Sequence, residues 1–306
     1  RPVFIVDERI DGDALGSALA VADYLASHHC KKVPVFVSSP IPAQYQRLAR
    51  IELCTTDPQV FADPAVDLVV SFDCSDGAFV RSLVDRIPGR PTLVNIDHHS
   101  TNDRYGDVNQ VLVEASATAE VVHRFFEANQ IVPSKDAATC LLTGLCFDTT
   151  AFTNSATNHR ALLVASALVY LGARIQDVIR AMFQNRSVCA LRVWGLALER
   201  LQEDSAQGEL STYLTRKDLE ENQVTDDEID GISNFLNIVT ESKILLVMRE
   251  TPQGDVKVSM RSLTQDVGAI AKAHGGGGHV RAAGYTIPQA ALVCGESGCW
   301  RVEKKV

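Results

Sequence analysis

Positive charge is the scarcer kind in this chain. Lysine and arginine total 29 against 38 aspartates and glutamates, for a formal net charge of −9. That balance excludes a global basic field able to draw in long duplex nucleic acid. An anionic substrate would meet positive charge only locally, from a few side chains or from metal. Aromatic residues make up 6% of the chain, and no basic groove interleaved with aromatics of the single-strand-binding type is visible. No apolar run approaches the ~20 residues of a membrane span; "ALLVASALVYLGA" at 161–173 falls short. The eight cysteines show no paired framework. Cys294 and Cys299 come close, but two cysteines without partners do not make a zinc site. They read as buried thiols of a reducing cytosol, and a cytoplasmic location is expected. No secretory leader is visible. The chain opens at Arg1 inside an expected strand, so residues preceding it in the native protein are anticipated.

What is present suits a two-domain globular protein: 306 residues, 46% of them hydrophobic and 22% charged. Short β-branched runs alternate with helical patterns through the first hundred residues. Strands are expected at 2–7, 33–39, 67–73 and 92–97, and helices near 15–28, 42–51 and 76–86. This rhythm predicts an α/β fold, a mostly parallel sheet flanked by helices. From 115 to 184 the pattern is helical. A further helix near 188–203 reads as a join to a smaller α/β domain, with strands at 209–214, 243–250 and 255–261 and a helix at 266–273. The expected boundaries are 1–187, 188–205 and 206–306.

Three of the early strands end in acid: Val6-Asp7, Phe72-Asp73 and Ile96-Asp97. Strand carboxyl ends share one edge of a parallel sheet, where open α/β sheets place ligands. Asp11 and Asp13 follow the first end, His98 and His99 follow the third, and Asp148 comes from the helical segment "GLCFDTTAF". Taken singly, Asp11 reads as a helix N-cap, Asp73 as a turn acid and His98 as a surface histidine. Together, so many carboxylates could not stay ionised without counter-charge, and divalent metal is the economical answer. Carboxylates with one or two imidazoles suit Mn²⁺, with Mg²⁺, Co²⁺ or Fe²⁺ behind it. Two such ions, roughly 3.5–4 Å apart, would activate a water and clamp a phosphoryl group.

"DGDALGS", "SFDCSD", "NIDHH" and "GLCFDTTAF" resemble, in order, the four motifs of the DHH phosphoesterase superfamily. "SMRS" at 259–262 and "GGGGHVRAAG" at 275–284 resemble the DHHA1 domain that completes one branch. Length and order are similar to the NrnA-type oligoribonucleases, or nanoRNases, which also dephosphorylate pAp. The resemblance implies one metal on Asp11 and Asp73 and a second on Asp13, Asp73, His98 and Asp148, with Asp73 bridging. It implies that Asp97 orients a histidine and that His99 reaches the scissile phosphate. "NDRYGDVN" at 102–109 and "ASATAE" at 115–120 also resemble family segments and carry capping and loop-shaping roles. The departure is Asp7, because the family's first motif has a metal-ligating histidine there. Asp7 is carried as a metal ligand that weakens or alters the first site.

On the substrate side, Gly276, Gly277 and Gly278 let a backbone approach closely and build an anion-binding nest. His279 and Arg261 would bring donors and charge to a phosphate, with Ser259 beside them. Lys257 and Arg281 carry weaker claims. The expected activity is hydrolysis of short RNA oligonucleotides to nucleoside 5′-monophosphates, and of pAp to AMP, by a hydroxide activated on two metals. A cyclic-dinucleotide or pApA phosphodiesterase is the alternative within the class. A non-catalytic nucleotide-binding relative with an impaired first site is the alternative outside it. No long duplex and no membrane partner is expected; a homodimer is.

Overall fold

The computed structural model describes residues 1–29, 32–183, 186–278, 280–294 and 300–304. The chain divides into two compact units, Arg1–Asn185 and Arg186–Val306.

In the first unit β1 (Pro2–Val6) leads to α1 (Gly12–His29), then β2 (Val35–Phe36) and β3 (Cys54–Thr55). After these come β4 (Leu68–Phe72), α2 (Gly77–Val84), β5 (Thr92–Asp97) and β6 (Val108–Val111). The strands form one six-stranded sheet in the order β3-β2-β1-β4-β5-β6, every pairing parallel. Alternation along the central strands assigns two cores. Phe4, Val6, Val70 and Phe72 pack on one side with α1, and Val3, Ile5, Val69 and Leu93 on the other with Val80 of α2. Burial on both faces explains why these strands read as continuous apolar runs. Each fully buried Phe or Leu contributes about 1.5–3 kcal/mol.

The segment 115–184 forms α3 (Thr118–Ala128), α4 (Lys135–Asp148), α5 (His159–Tyr170) and α6 (Ile175–Phe183). Ser134 caps α4 by accepting from the Ala137 amide, and Asn158 caps α5 by accepting from Arg160 and Ala161. The stretch 42–51 differs from expectation. It holds only 3₁₀ turns at Ala43–Tyr45 and Ile51–Leu53, with Arg50 left-handed at φ 65° between them. A left-handed residue ends any continuous helix.

The second unit begins with α7 (Val188–Glu199), whose Ala190, Val193 and Ala197 are buried with Leu214, Leu236 and Leu245 of the same unit. The helical pattern read to 203 stops at Glu199. Arg200 closes the helix and forks onto Asp218, and Gln202–Asp204 pairs as a strand instead. Then follow β7 (Gln202–Asp204), β8 (Glu209–Leu214), α8 (Arg216–Glu221), α9 (Ile232–Val239), β9 (Ile244–Glu250), β10 (Val256–Arg261) and α10 (Val267–Ala273). The chain continues through β11 (Gly277–Gly278), β12 (Ala282–Ile287), β13 (Ala290–Cys294) and β14 (Trp300–Lys304). The main sheet runs β11-β12-β10-β9-β8-β7, with β8–β9 parallel and the remaining pairs antiparallel, while β13 and β14 form a separate hairpin.

Candidate active site

The carboxyl ends of β1, β4 and β5 deliver the acids to one edge of the first sheet. Asp11 caps α1: its Oδ1 accepts from the amides of Asp13 and Ala14, both at 2.9 Å. The N-cap function read for Asp11 alone is therefore real, and it occupies only one carboxylate oxygen. Asp13, fully buried in the first turn of α1, accepts from Thr118 N at 2.6 Å and Ala119 N at 2.9 Å. Asp73 follows β4 in the left-handed region, φ 60°, a conformation that costs a non-glycine residue of order 1–3 kcal/mol and marks functional positions. Its Oδ1 accepts from Thr118 Oγ1 at 2.8 Å and lies 3.7 Å from His98 Nε2 and 3.4 Å from His99 Nδ1.

His98 is oriented from behind, its Nδ1 meeting the Ala115 carbonyl at 3.2 Å. A carbonyl accepts only, so Nδ1 carries a proton and Nε2 is the ring atom turned to the carboxylates. That Nε2 is buried and makes no hydrogen bond of acceptable geometry, although Asp148 Oδ2 sits 2.9 Å away. Asp148 ends α4, and the three residues Thr150, Ala151 and Phe152 just beyond it are all left-handed. His99 is held by Asp97, whose Oδ1 accepts from His99 Nδ1 at 2.8 Å and from the His98 and His99 amides at 2.7 and 3.1 Å. Asn102 Nδ2 donates to the other Asp97 oxygen at 2.5 Å.

Two groups of ligand-type atoms converge within 4.8 Å: Asp13, His98 and Asp148, and Asp73, Asp97, His98 and His99. Asp11 and Asp7 lie outside both groups. Asp7 turns its Oδ1 to the Arg9 amide at 2.9 Å. Electrostatics follow from this crowding. Burial and then the Asp148 charge push Asp11 up to about 6. Burial, reinforced by neighbouring carboxylates, holds Asp13 and Asp73 well above the usual range. For His98 burial opposes the charged ring, but the close approach of Asp148, with Asp13 and the Ala115 carbonyl, raises it to about 10. Asp97 moves the other way: burial opposes its charge, and the His99 and Asn102 bonds outweigh that and lower it.

In the second unit, β10 turns Val256, Val258 and Met260 inward and leaves Lys257, Ser259 and Arg261 on the opposite face. Arg261 Nε donates to Asn234 Oδ1 and its NH1 to the Met260 carbonyl, both at 2.8 Å. The glycine run differs from the expected nest, for Gly277 and Gly278 form a short edge strand paired with Gly284 and Ala283. A Cβ at Gly276 would meet Tyr285 Cβ at 2.5 Å, and one at Gly278 would meet Ala283 Cα at 2.5 Å, whereas one at Gly277 would meet open space. A cleft of about 450 Å³ opens beside this strand, with Lys272 of α10 on its wall. His279 lies outside the described residues.

Comparison with known proteins now bears on this arrangement. Residues 2–145 match the model of the DHH family, N-terminal domain, and residues 210–294 match that of the DHHA1 domain. A bifunctional oligoribonuclease and PAP phosphatase NrnA of Thermus thermophilus is 30% identical, covering 90% of this chain and 81% of its own. The chain belongs to the DHH/DHHA1 phosphoesterase family. A probable bifunctional oligoribonuclease and PAP phosphatase NrnA of Streptococcus mutans is 28% identical over 90% of this chain and 85% of its own. The crystal structure of an exopolyphosphatase-related protein from Bacteroides fragilis shares the fold, with TM-score 0.83 and 22% identity over 93% of this chain and 86% of that one.

The DHH donor set fits a divalent cation. Carboxylates pushed upward by burial and mutual repulsion gain from a positive counter-charge, and His98 Nε2, 2.9 Å from Asp148 Oδ2, is the ring nitrogen that a cation would take in place of a proton. Several positioning groups escaped sequence reading. Gly144 gives Asp13 its room, since a Cβ there would meet Asp13 Oδ1 at 2.6 Å and Ala119 Cβ at 2.9 Å. Its spacing of four from Asp148 on one helix was the available signal. Thr118 and Asn102 fell in segments given only capping and loop-shaping roles, yet they bind Asp73 and Asp97 directly. Tyr45, fully buried, packs its ring against Phe147 with centroids 5.2 Å apart, next to Asp148, and carried no sequence signal.

Proposed function

We propose that this chain hydrolyses phosphoester bonds in short oligoribonucleotides, releasing nucleoside 5′-monophosphates, and converts pAp to AMP. The observation that carries the reading is the convergence of ligand atoms of Asp13, His98 and Asp148 within 4.8 Å of one another. Asp7, Asp11, Asp13, Asp73, His98 and Asp148 would hold two divalent ions, Mn²⁺ in our reading on the mixed carboxylate–imidazole donor set. Such ions supply Lewis acidity to a phosphoryl oxygen and a water nucleophile at neutral pH. The chain's own residues supply orientation. The Ala115 carbonyl fixes the His98 tautomer, and Thr118 fixes Asp73 and Asp13. Asp97 keeps the His99 proton on Nδ1, so the ring meets a phosphate in one orientation. In the DHHA1 domain Arg261, Ser259, the glycines 276–278 and His279 would hold a substrate phosphate, His279 on the motif alone.

Substrates would be short, since nothing in the charge balance favours long nucleic acid. No described helix is long and apolar enough to cross a membrane, and we assign the protein to the cytoplasm on the free, mostly buried thiols among its described residues. A homodimer is proposed on family grounds only. A second reading draws on Asp7: with its carboxylate turned to Arg9, the first metal site is weaker than a histidine would make it. One experiment tests both. The protein is incubated with Mn²⁺ and short RNA, long RNA, pAp or cyclic di-AMP, beside an Asp7→His variant. Release of nucleotide monophosphate from the short RNA is expected, with faster release by the variant. No turnover of any substrate by either protein, with no more than one metal bound, would overturn the hydrolase.

A further inference from the structure

Glu120, in the first turn of α3, is a fully buried acid that belongs to neither group of converging ligand-type atoms. Its Oε1 accepts from Arg124 through Nε at 3.0 Å and Nη2 at 2.5 Å, and Arg124 Nη1 reaches on to Glu114 at 2.9 Å. Its Oε2 accepts from the Ser116 amide at 2.9 Å and from the Ser116 hydroxyl at 2.6 Å. A carboxylate in the interior is costly unless it is paired and hydrogen-bonded. Both conditions are met here, which turns the question to what the carboxylate holds in place.

A glutamate three residues after a helix cap commonly reaches back to the cap amide, a purely local device. The start of α3 is satisfied differently. Its cap residue, Ala117, makes no side-chain bond, and Asp13 of α1 accepts from the Thr118 and Ala119 amides. Glu120 reaches one residue beyond the cap, to Ser116. The Ser116 N–H lies in one rigid plane with the Ala115 carbonyl, and the two point opposite ways across a trans peptide. That carbonyl is the group His98 Nδ1 meets at 3.2 Å. One peptide plane is therefore gripped by Glu120 through its N–H and grips the imidazole through its C=O.

We propose that Glu120 is a positioning residue of the acid edge, acting on His98 through the Ala115–Ser116 peptide. Taking His98 as a metal ligand rests on the function proposed above. Without an acceptor at Glu120 the plane is free to turn and the carbonyl leaves Nδ1. The ring that brings Nε2 to 2.9 Å from Asp148 then loses its fixed orientation. Arg124 serves the carboxylate rather than the ring, so the acceptor matters to His98 and the ion pair does not.

Truncating Glu120 alone would strand the Arg124 charge, so the test removes the ion pair as a unit. Glu120→Gln with Arg124→Gln keeps an amide oxygen for the Ser116 N–H, whereas Glu120→Met with Arg124→Met keeps bulk and no acceptor. Circular dichroism establishes that each folds; if the methionine pair does not, Glu120→Ala with Arg124→Gln takes its place. In the metal-free full chain, NMR follows the bonded His98 Nδ1–H proton, assigned by its absence from His98→Ala. The resonance should persist in the parent and the glutamine pair and vanish from the pair without an acceptor. Calorimetry should find Mn²⁺ affinity within about twofold of the parent for the glutamine pair. The pair without an acceptor should bind about tenfold more weakly, the low end for losing a group that orients a ligating histidine. A resonance that survives without the acceptor overturns the role, as does equal Mn²⁺ affinity in two pairs that both bind the ion. A resonance that depends on Glu120 in a chain that hydrolyses nothing would uphold the positioning and sink the proposed activity instead.

Discussion

The two halves of the candidate machinery are built on opposite terms. In the first unit Asp13, Asp73 and Asp97 are buried, and each is held by a group from another element: Asp13 by α3 amides, Asp73 by Thr118, Asp97 by Asn102. In the second unit Ser259 and Arg261 stand on the less covered face of a strand whose other face is core. Gly277 there has nothing within 4 Å of where a Cβ would be. Buried, hydrogen-bonded acids are preorganised and intolerant of change, because each polar group removed leaves its partner unsatisfied. An open strand face contributes binding and tolerates substitution.

The sharpest way to break the comparison is at Asp73. Asp73→Asn removes a charge while keeping a shape that Thr118 can still bond. Hydrolysis of short RNA should fall by at least ~10³-fold, about 4 kcal/mol in the barrier, with circular dichroism unchanged. Wild-type rates in this variant would end the claim that the buried acids do the chemistry. Next comes the pair Gly144→Ala and Gly277→Ala. The first forces Asp13 and Ala119 apart, at about 1–3 kcal/mol of overpacking, and should cost both stability and activity. The second should leave the urea midpoint where it was. Equal effects would show that the two regions do not differ in tolerance.

Asp218 asks whether buried ionic scaffolding also exists in the second unit. Burial opposes its charge, but the Arg200 fork and the Thr215 bonds lower it below the usual range. A depressed folded-state value means that the stabilisation is fully present above about pH 4 and is lost as pH falls through the folded value. Asp218→Asn should lower stability by about 1.5–3 kcal/mol at neutral pH. The gap from the parent should shrink below pH ~4, where the unfolded carboxyl also protonates. A gap independent of pH would assign the loss to packing. The smallest effect belongs to Arg261→Ala, a roughly tenfold rise in KM, about 1.4 kcal/mol, at near-constant kcat. A fall in kcat alone would move Arg261 from holding substrate to the chemical step.

Much of this was legible in order. The strands that lead into Asp7 and Asp73 and the one that ends at Asp97 lie where the apolar runs put them, and β8 spans Glu209–Leu214 as read. Local patterning is reliable where burial on both faces leaves no competing choice. It failed at 42–51, where helical spacing could not reveal that Arg50 would turn left-handed. It also failed at 202–204, where pairing with β8 outweighed helical propensity. At the site, ligand-type residues announced themselves by type and spacing. Their supports did not, because Thr118, Asn102 and Gly144 are ordinary residues until another element comes within 3 Å of them.

From sequence alone came the α/β class, the two-domain order, and the acids and histidines grouped at one sheet edge, all consequences of periodicity and of residue chemistry. Only the tertiary structure decided that Asp11 spends one oxygen capping α1 and that His98 brings Nε2 to 2.9 Å from Asp148. Only it showed that the glycine run is an edge strand. The reason is that hydrogen-bond partners and empty space belong to pairs of elements, and no single segment encodes its distance from another.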